Sequence, residues 1–459
     1  MLFHTIAFFL FLAVVLPAFY LSPRRWRSVI LLAASYFFYM SWNAKFVVLI
    51  LVLTAIDYTA AIWMTRVSRG PRRRAWLIVS LAANLGFLGF FKYFNFAAGN
   101  VAMLLGRPPS AFAFDIILPM GISFHTFQSM SYVIDVYRSE QEAVRNIVDY
   151  ALYIAFFPQL VAGPIVRARH FFADLAHWSA PTQKEQLRGI LLTLFGLVKK
   201  VAIADQFARL ADVYFRDPAA HPGAYAAWSG AAAFSMQIFF DFSGYTDMAI
   251  GLAQLFGFHF PDNFRRPYLA AGITDFWRRW HISLSSWLRD YLYIPLGGNR
   301  GGAWRTYRNL MLTMLLGGLW HGASWNFVIW GGYHGALLSV ERAAPVRDLP
   351  VLRPLRIALA FALVTIGWVF FRAQTLAQST HIVRQMFTLP LGHGLWPRWQ
   401  FWFAAILLVL AIAEEHFAWF ERLASAPAWV WCAVVAVLLF CLETLGVPGE
   451  AIPFVYFQF

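Results

Sequence analysis

Charged side chains are scarce in this chain. They make up 13% of its 459 residues, whereas about 25% is usual for a soluble domain. Hydrophobic residues reach 60% and aromatic residues 18%, and no long polar block interrupts them. Such a chain cannot cover its apolar surface with a solvated exterior. The composition excludes a soluble globular protein and predicts a single membrane domain over residues 1–459.

Cysteine and acidic residues are also scarce. Cys432 and Cys441 share one predicted helix, where they stand about 13 Å apart, too far for a disulfide. Aspartate and glutamate number 23 against 37 lysines and arginines, which gives a net charge of +14. The arginines collect in short loops between apolar stretches, as the topology of membrane proteins requires. No basic soluble domain accompanies them, so we expect no nucleic-acid partner.

Several motifs of other enzyme classes are missing. There is no G-x-S-x-G nucleophile elbow, no H-E-x-x-H or Cys/His metal site, no phosphate-binding P-loop and no dinucleotide fingerprint. We therefore expect neither a metal nor a bound cofactor.

The apolar stretches predict an all-α, polytopic membrane protein. A helix needs roughly 20 apolar residues to cross the hydrocarbon, and we expect about 11 transmembrane helices plus re-entrant or interfacial helices. Residues 309–340 are too long for one upright span, so we predict a break near Gly331 and Gly332. The uncharged runs are residues 28–44, 75–91, 116–134, 150–166, 218–240, 309–340, 357–371, 399–413 and 423–442.

Basic loops predict the orientation. Residues 1–4 lack the positive charge of a secretory signal, so residues 5–21 are expected to form a retained first helix. Arginines follow at positions 24, 25 and 27, and again between positions 66 and 74. Two apolar segments separate these loops, which places both on the cytoplasmic side. The amino terminus is then expected in the periplasm.

Polar residues concentrate in the middle of the chain. We divide it into amino-terminal helices (residues 1–110), a catalytic core (residues 111–342) and carboxy-terminal helices (residues 343–459). Polar groups at membrane depth usually face a cavity or a partner, so function is sought in the core. An unpaired carboxylate there costs several kcal/mol, and we expect Asp241 and Asp247 to pair with arginines.

An arginine-rich segment follows residue 259. Its large apolar residues recur at spacings of 3, 4, 3 and 4, which predicts one amphipathic helix over residues 277–291. It would lie at the interface, either as a plain interfacial helix or lining a funnel. If the helix lines a funnel, the arginines of the whole segment after residue 259 would bind a phosphate-bearing donor. The candidates for this role are Arg265, Arg266, Arg278, Arg279 and Arg289.

His321 is the candidate general base. It stands about 18 Å into a helix that starts at Asn309, well inside the hydrocarbon. Gly318 and Gly322 form a small-xxx-small pair that allows a neighbouring helix to approach closely. An imidazole can take a hydroxyl proton at neutral pH. The alternative is a buried histidine that only satisfies hydrogen bonds.

Six blocks of the chain resemble the membrane-bound O-acyltransferase superfamily. Within it, the bacterial branch of alginate O-acetyltransferase membrane subunits is most similar, and the D-alanyl transferases of teichoic acid synthesis are more distant. The resemblance runs from the amino terminus to about Arg342. The blocks are residues 91–96 (FKYFNF), 118–128 (LPMGISFHTFQ), 158–164 (PQLVAGP), 241–247 (DFSGYTD), 275–281 (DFWRRWH) and 320–322 (WHG).

The resemblance implies helices arranged around a central funnel or tunnel, with His321 as the catalytic histidine and His281 as the second. It also implies transfer of an acetyl group from a cytoplasmic donor, acetyl-CoA, across the bacterial inner membrane. The acceptor would be a periplasmic serine-dependent acetyltransferase partner or the exported polysaccharide itself. Residues expected to line or support the tunnel are Asp241, Asp247, Trp320 and Asn326.

Two other functions also place polar residues at membrane depth. A transporter or flippase for a glycan or a lipid-linked intermediate would move an intact solute and consume no acyl donor. A scaffold of a polysaccharide export complex would tolerate loss of His321. The sequence leaves open which polysaccharide is modified.

Overall fold

The computed structural model describes residues 1–344, 349–423, 425–446 and 452–455. These residues form helices and connecting loops, with no strand among them. The predicted all-α class is confirmed. The α-helices are α1 Ile6–Leu21, α2 Arg24–Asn43, α3 Val47–Arg66, α4 Pro71–Leu88, α5 Phe94–Leu104, α6 Ile122–Arg138, α7 Ile147–Ala155, α8 Phe157–Leu160, α9 Ala168–Ala176, α10 Gln183–Val198, α11 Asp205–Arg216, α12 Ala224–Leu255, α13 Ile273–Arg279, α14 Ile282–Leu288, α15 Ala303–His321, α16 Trp325–Ala343, α17 Arg353–Arg372, α18 Leu376–Gln385, α19 Arg398–Phe417, α20 Trp419–Leu423 and α21 Ala428–Leu445.

Within the described residues, five helical segments are long and apolar enough to cross a membrane. They coincide with five of the uncharged runs given above, because those runs are apolar on all sides. The expected number of about 11 spans and the central funnel are not confirmed and remain predictions. The five segments are Arg24–Arg66, Pro71–Leu104, Pro350–Arg372, Arg398–Phe417 and Ala428–Leu445.

The chain divides into two compact units. The first comprises Met1–Ile190 and Met248–Pro261, and the second comprises Leu191–Asp247 and Asp262–Phe459. The three-part division made from the sequence remains a prediction.

The first unit buries a carboxylate among neutral donors. Asp57 of α3 is fully buried and accepts a hydrogen bond from the Ser80 hydroxyl at 2.6 Å. The Asn84 amide donates to both of its oxygens, at 2.9 and 3.0 Å. A buried carboxylate needs such donors because no water solvates it. These bonds therefore fasten α4 to α3.

In the second unit, α15 and α16 form a tight antiparallel pair, and the predicted break is misplaced. The chain leaves the helix at Gly322 and re-enters it at Trp325, whereas Gly331 lies inside α16. A side chain on Gly331 would collide with the Met314 carbonyl, and one on Gly318 would collide with the Phe327 carbonyl. The prediction of close helix approach is confirmed. Gly331 serves packing rather than a turn, which is why the break prediction was wrong.

The single amphipathic helix predicted for residues 277–291 is also wrong. The helix ends at Arg279, and α14 begins at Ile282 and passes into a π-helical turn, Arg289–Tyr293. The apolar spacing continued across the break because both short helices bury their apolar faces. Trp280, Leu284 and Trp287 are all buried.

Candidate functional site

His321 is the last residue of α15 and is 6% exposed. Its ring centroid lies 4.9 Å from that of Trp320, 5.1 Å from that of Trp330 and 5.2 Å from that of Phe371. Three helices supply these rings, since Trp330 belongs to α16 and Phe371 to α17. The imidazole is therefore surrounded by aromatic rings at the end of α15.

The backbone directly after His321 depends on a glycine. Gly322 is extended, and a Cβ at this position would collide with the Phe327 ring. Phe327 in turn packs against Phe371, with ring centroids 4.9 Å apart. Gly322 thus lets the chain turn while Phe327 closes over the end of the helix.

His281 occupies the junction between α13 and α14. Its backbone is left-handed, with φ 44° and ψ 54°, a conformation that costs about 1–2 kcal/mol for a residue with a side chain. Such strain persists only where the surroundings enforce it, and it clusters at functional sites. The ring is fully buried, with its centroid 4.8 Å from that of Phe242.

Asn263 holds this junction in place. Its backbone carbonyl accepts a hydrogen bond from the Ile282 N–H at 2.9 Å. Its Oδ1 accepts from the Ser283 N–H at 3.1 Å and from the Ser283 hydroxyl at 2.9 Å. The same Oδ1 lies 3.1 Å from Nδ1 of His281. Asn263 was not predicted as a site residue, because its partners lie 18 to 20 residues away along the chain.

A third histidine continues the aromatic array. His334 of α16 is fully buried, with its ring centroid 4.9 Å from that of Trp330 and 5.2 Å from that of Trp277. Gly367 of α17 packs against it so closely that a Cβ there would lie 2.8 Å from Nε2. His334 stands one helical turn after Trp330, and this spacing was its only sequence signal.

Asn326 ties the start of α16 to neighbouring elements. Its amide donates to the Ala373 carbonyl at 2.8 Å, and its Oδ1 accepts from the Ser379 hydroxyl at 3.1 Å. Both partners lie at or beyond the end of α17, next to the helix that carries Phe371. Asn326 thereby supports the aromatic surroundings of His321, while its expected place on a tunnel wall remains a prediction.

Asp241 and Asp247 pair with lysines, so the expectation of arginine partners was wrong. Lys200 is 1% exposed and lies 2.7 Å from Asp241 and 2.8 Å from Asp205. Lys199 pairs with Asp247 at 2.5 Å. The lysines stand in the π-helical turn Lys199–Ala204 that joins α10 to α11. Two adjacent lysines inside an apolar run were the sequence signal for these pairs.

Two of the candidate arginines are engaged by carboxylates. Arg279 pairs with Asp275 at 2.9 Å and with Glu415 of α19 at 3.1 Å. Arg266 pairs with the same Glu415 and, at 3.6 Å, with Glu414. This acidic and basic cluster joins α13 to α19.

The other three arginines are exposed. Arg265 pairs with Asp262 at 3.1 Å, and Arg289 pairs with Asp290 at 2.8 Å. Pairs this exposed contribute about 0–1 kcal/mol and break readily. Within the described part of the chain, no carboxylate lies within ion-pair distance of Arg278. These three side chains are therefore available to an anionic ligand.

Comparison with known proteins decides the family. The sequence model of MBOAT, the membrane-bound O-acyltransferase family, matches residues 74–371. The chain is 46% identical to the probable alginate O-acetylase AlgI of Azotobacter vinelandii, over 83% of this chain and 76% of that protein. It is 37% identical to the peptidoglycan O-acetyltransferase of Helicobacter pylori, over 92% of this chain and 84% of that protein.

The chain belongs to the membrane-bound O-acyltransferase family. A more distant relative is the teichoic acid D-alanyltransferase of Bacillus subtilis, which is 32% identical over 49% of this chain and 59% of that protein. The protein is therefore a membrane-integral O-acyltransferase, which favours the acyltransferase hypothesis over the transporter and the scaffold. The family match extends to residue 371. The resemblance had been expected to end at about Arg342, so it reaches further than expected.

Proposed function

We propose that this O-acyltransferase adds acetyl groups to the hydroxyls of an exported polysaccharide, with His321 as general base. The observation that carries the proposal is the burial of His321 among Trp320, Trp330 and Phe371, in a family whose members transfer acyl groups. Two relatives named for O-acetylation of alginate and of peptidoglycan support a polysaccharide substrate.

The proposed reaction requires one proton acceptor. An acceptor hydroxyl oxygen attacks the carbonyl carbon of the acetyl thioester while His321 takes the hydroxyl proton. The new ester C–O bond forms, the C–S bond breaks, and the proton passes from the imidazolium to the departing thiolate. The aromatic rings around His321 keep water from the acetyl carbon, which limits wasteful hydrolysis of the thioester.

Acetyl-CoA is the donor in this proposal, bound through its phosphates by arginines after residue 259. Arg265, Arg278 and Arg289 suit this role because they are exposed. Arg266 and Arg279 would first have to release Glu415. Arginine suits phosphate because its guanidinium can donate two parallel hydrogen bonds.

The proposed setting is the bacterial inner membrane, with the amino terminus in the periplasm. The acetyl group would leave the site either directly to the polysaccharide or through a periplasmic serine-dependent acetyltransferase. In both routes the attacking atom is a hydroxyl oxygen, so the part played by His321 is the same.

The deciding test compares His321→Gln with His259→Gln in cells that depend on this protein for polymer acetylation. His259 is an exposed histidine of the first unit, paired with Asp174. We expect His321→Gln to abolish acetyl esters on the polymer at unchanged protein level in the membrane, whereas His259→Gln should leave them unchanged. Normal acetylation in the His321 variant would refute the proposal.

A further inference from the structure

The orientation of the Asn263 side chain can be assigned from its neighbours. The Ser283 backbone N–H can only donate a hydrogen bond, and it points at the Asn263 side-chain atom 3.1 Å away. That atom must therefore be the amide oxygen, Oδ1. The amide nitrogen then faces Thr246 Oγ1 at 3.5 Å, which can accept.

This assignment fixes the proton of His281. Its Nδ1 lies 3.1 Å from Oδ1 of Asn263, which has no hydrogen to donate. Nδ1 must then carry the proton and donate it to this contact. A neutral imidazole has one ring proton, so its lone pair is on Nε2.

The surroundings hold the ring in this state. The Phe242 ring stands edge-on to it, with the two planes at 87°, and the Trp320 ring lies 6.2 Å away. Asn263 is itself 1% exposed and is fastened to the start of α14 through Ile282 and Ser283. A ring flip would bring Nδ1 away from Oδ1 and leave a buried amide oxygen with fewer donors, which costs free energy.

We infer that Asn263 is a positioning residue that locks His281 in the tautomer with its proton on Nδ1 and its lone pair on Nε2. This role rests on the proposed participation of His281 in acyl transfer. It assigns His281 a specific contribution, because Nε2 then accepts a hydrogen bond from an O–H, N–H or S–H group of a substrate. A neutral ring in this tautomer has no Nε2 proton with which to stabilise an oxyanion.

The test reads the tautomer directly. The full chain, labelled with ¹⁵N-histidine and reconstituted in liposomes, is compared with His281→Gln by solid-state NMR, so that the difference spectrum isolates residue 281. We expect a protonated Nδ1 and an unprotonated Nε2 in the wild-type protein. Asn263→Leu should abolish that signature, and Asn263→Asp, which keeps an acceptor oxygen, should retain the Nδ1 proton.

Activity provides the second readout. Asn263→Leu should lower kcat roughly 10- to 100-fold, the loss typical when a group that orients a metal-bound histidine is removed, with little change in KM for the donor. Asn309→Leu is the matched control: Asn309 is also a buried asparagine of the second unit, and it holds the Gly298 carbonyl at 3.1 Å. It should leave the His281 signature unchanged even where it lowers stability.

The outcomes separate the two proposals. A wild-type ring protonated on Nε2 would overturn the role of Asn263, and this measurement does not require the Asn263 variants to fold. Unchanged kcat in Asn263→Leu, with His281→Gln inactive, would also overturn it while leaving the proposed function intact. Full activity of His281→Gln would remove His281 from the reaction, and the role of Asn263 with it.

Discussion

Trp320 contacts both candidate histidines, with its ring centroid 4.9 Å from that of His321 and 6.2 Å from that of His281. It is 4% exposed. One rigid ring thus contacts both imidazoles, one at the end of α15 and the other at the junction of α13 and α14. We therefore expect the size of this side chain to influence the positions of the two imidazoles.

Trp320→Phe should therefore lower the rate of acetyl transfer without unfolding the protein. The smaller ring loses contact with one histidine or both, and small displacements of reacting groups can cost up to about 100-fold in rate. We expect kcat to fall by about 10- to 100-fold, measured with purified protein in liposomes. The control is Trp304→Phe, at an exposed tryptophan in the first turn of the same helix. This variant should keep the wild-type kcat. Equal activity of the two variants would contradict a role of Trp320 in positioning the two histidines.

Gly331 and Gly332 provide a matched pair for the packing of α15 against α16. A Cβ at Gly331 would collide with the Met314 carbonyl, which cannot move aside, whereas a Cβ at Gly332 would lie 3.5 Å from Leu315 Cδ2, an ordinary contact. Gly331→Ala should lower the free energy of unfolding by about 1–3 kcal/mol and reduce activity, because Trp330 is its direct neighbour.

Gly332→Ala should be neutral or slightly stabilising, since alanine favours helix over glycine. Thermal unfolding in detergent and acetyl transfer in liposomes measure both variants. A Gly331→Ala protein as stable as Gly332→Ala would show that the two helices do not pack through Gly331.

The all-helical class and five apolar segments could be predicted because length and composition determine them directly. A run of 15 or more uncharged apolar residues needs no knowledge of its neighbours to be identified. The location of the break after His321 could not be predicted in this way. Gly318, Gly322, Gly331 and Gly335 look alike in sequence, and only the atoms opposite each one decide between helix packing and a turn.

The site was predictable to a smaller extent. His321 was singled out by its position within an uncharged run and then by the resemblance, and His281 was assigned as the second histidine by the resemblance; their roles remain proposals. Asn263 was missed because its hydrogen bonds reach across a helix to residues 281 and 283. The partners of Asp241 and Asp247 were assigned wrongly, because arginines are abundant in the sequence while proximity in the fold selects lysines.

Arg278 and Arg279 are adjacent and should respond differently to the same substitution. Arg279 is held by Asp275 and Glu415, while Arg278 is exposed. Arg278→Gln should raise KM for acetyl-CoA, more strongly at low salt, and leave kcat and stability unchanged. Arg279→Gln should mainly lower thermal stability, because Glu415 and Asp275 lose a cationic partner. If neither variant changes the dependence on acetyl-CoA or on salt, donor binding by this segment is refuted.

Lys200 and Lys199 form the second matched pair, since each binds a carboxylate but only Lys200 is fully buried. Lys200→Met leaves Asp241 and Asp205 close together without a cation, and removal of one partner from a buried ion pair costs about 3–5 kcal/mol. Lys199→Met removes a partly exposed pair with side chains 28% and 21% exposed, for which about 1 kcal/mol or less is expected.

Thermal unfolding in detergent should therefore show a far larger loss for Lys200→Met than for Lys199→Met. Adding Asp241→Asn to Lys200→Met should recover part of that loss. The neutral amide removes one of the two negative charges, and its oxygen can still accept the Val455 N–H, which now lies 2.7 Å from Oδ2. A double variant no more stable than Lys200→Met would mean that uncompensated charge is not what destabilises the protein. Because methionine keeps most of the apolar length of lysine, the loss would then come from the missing hydrogen bonds of the ammonium group to Asp205 and Asp241.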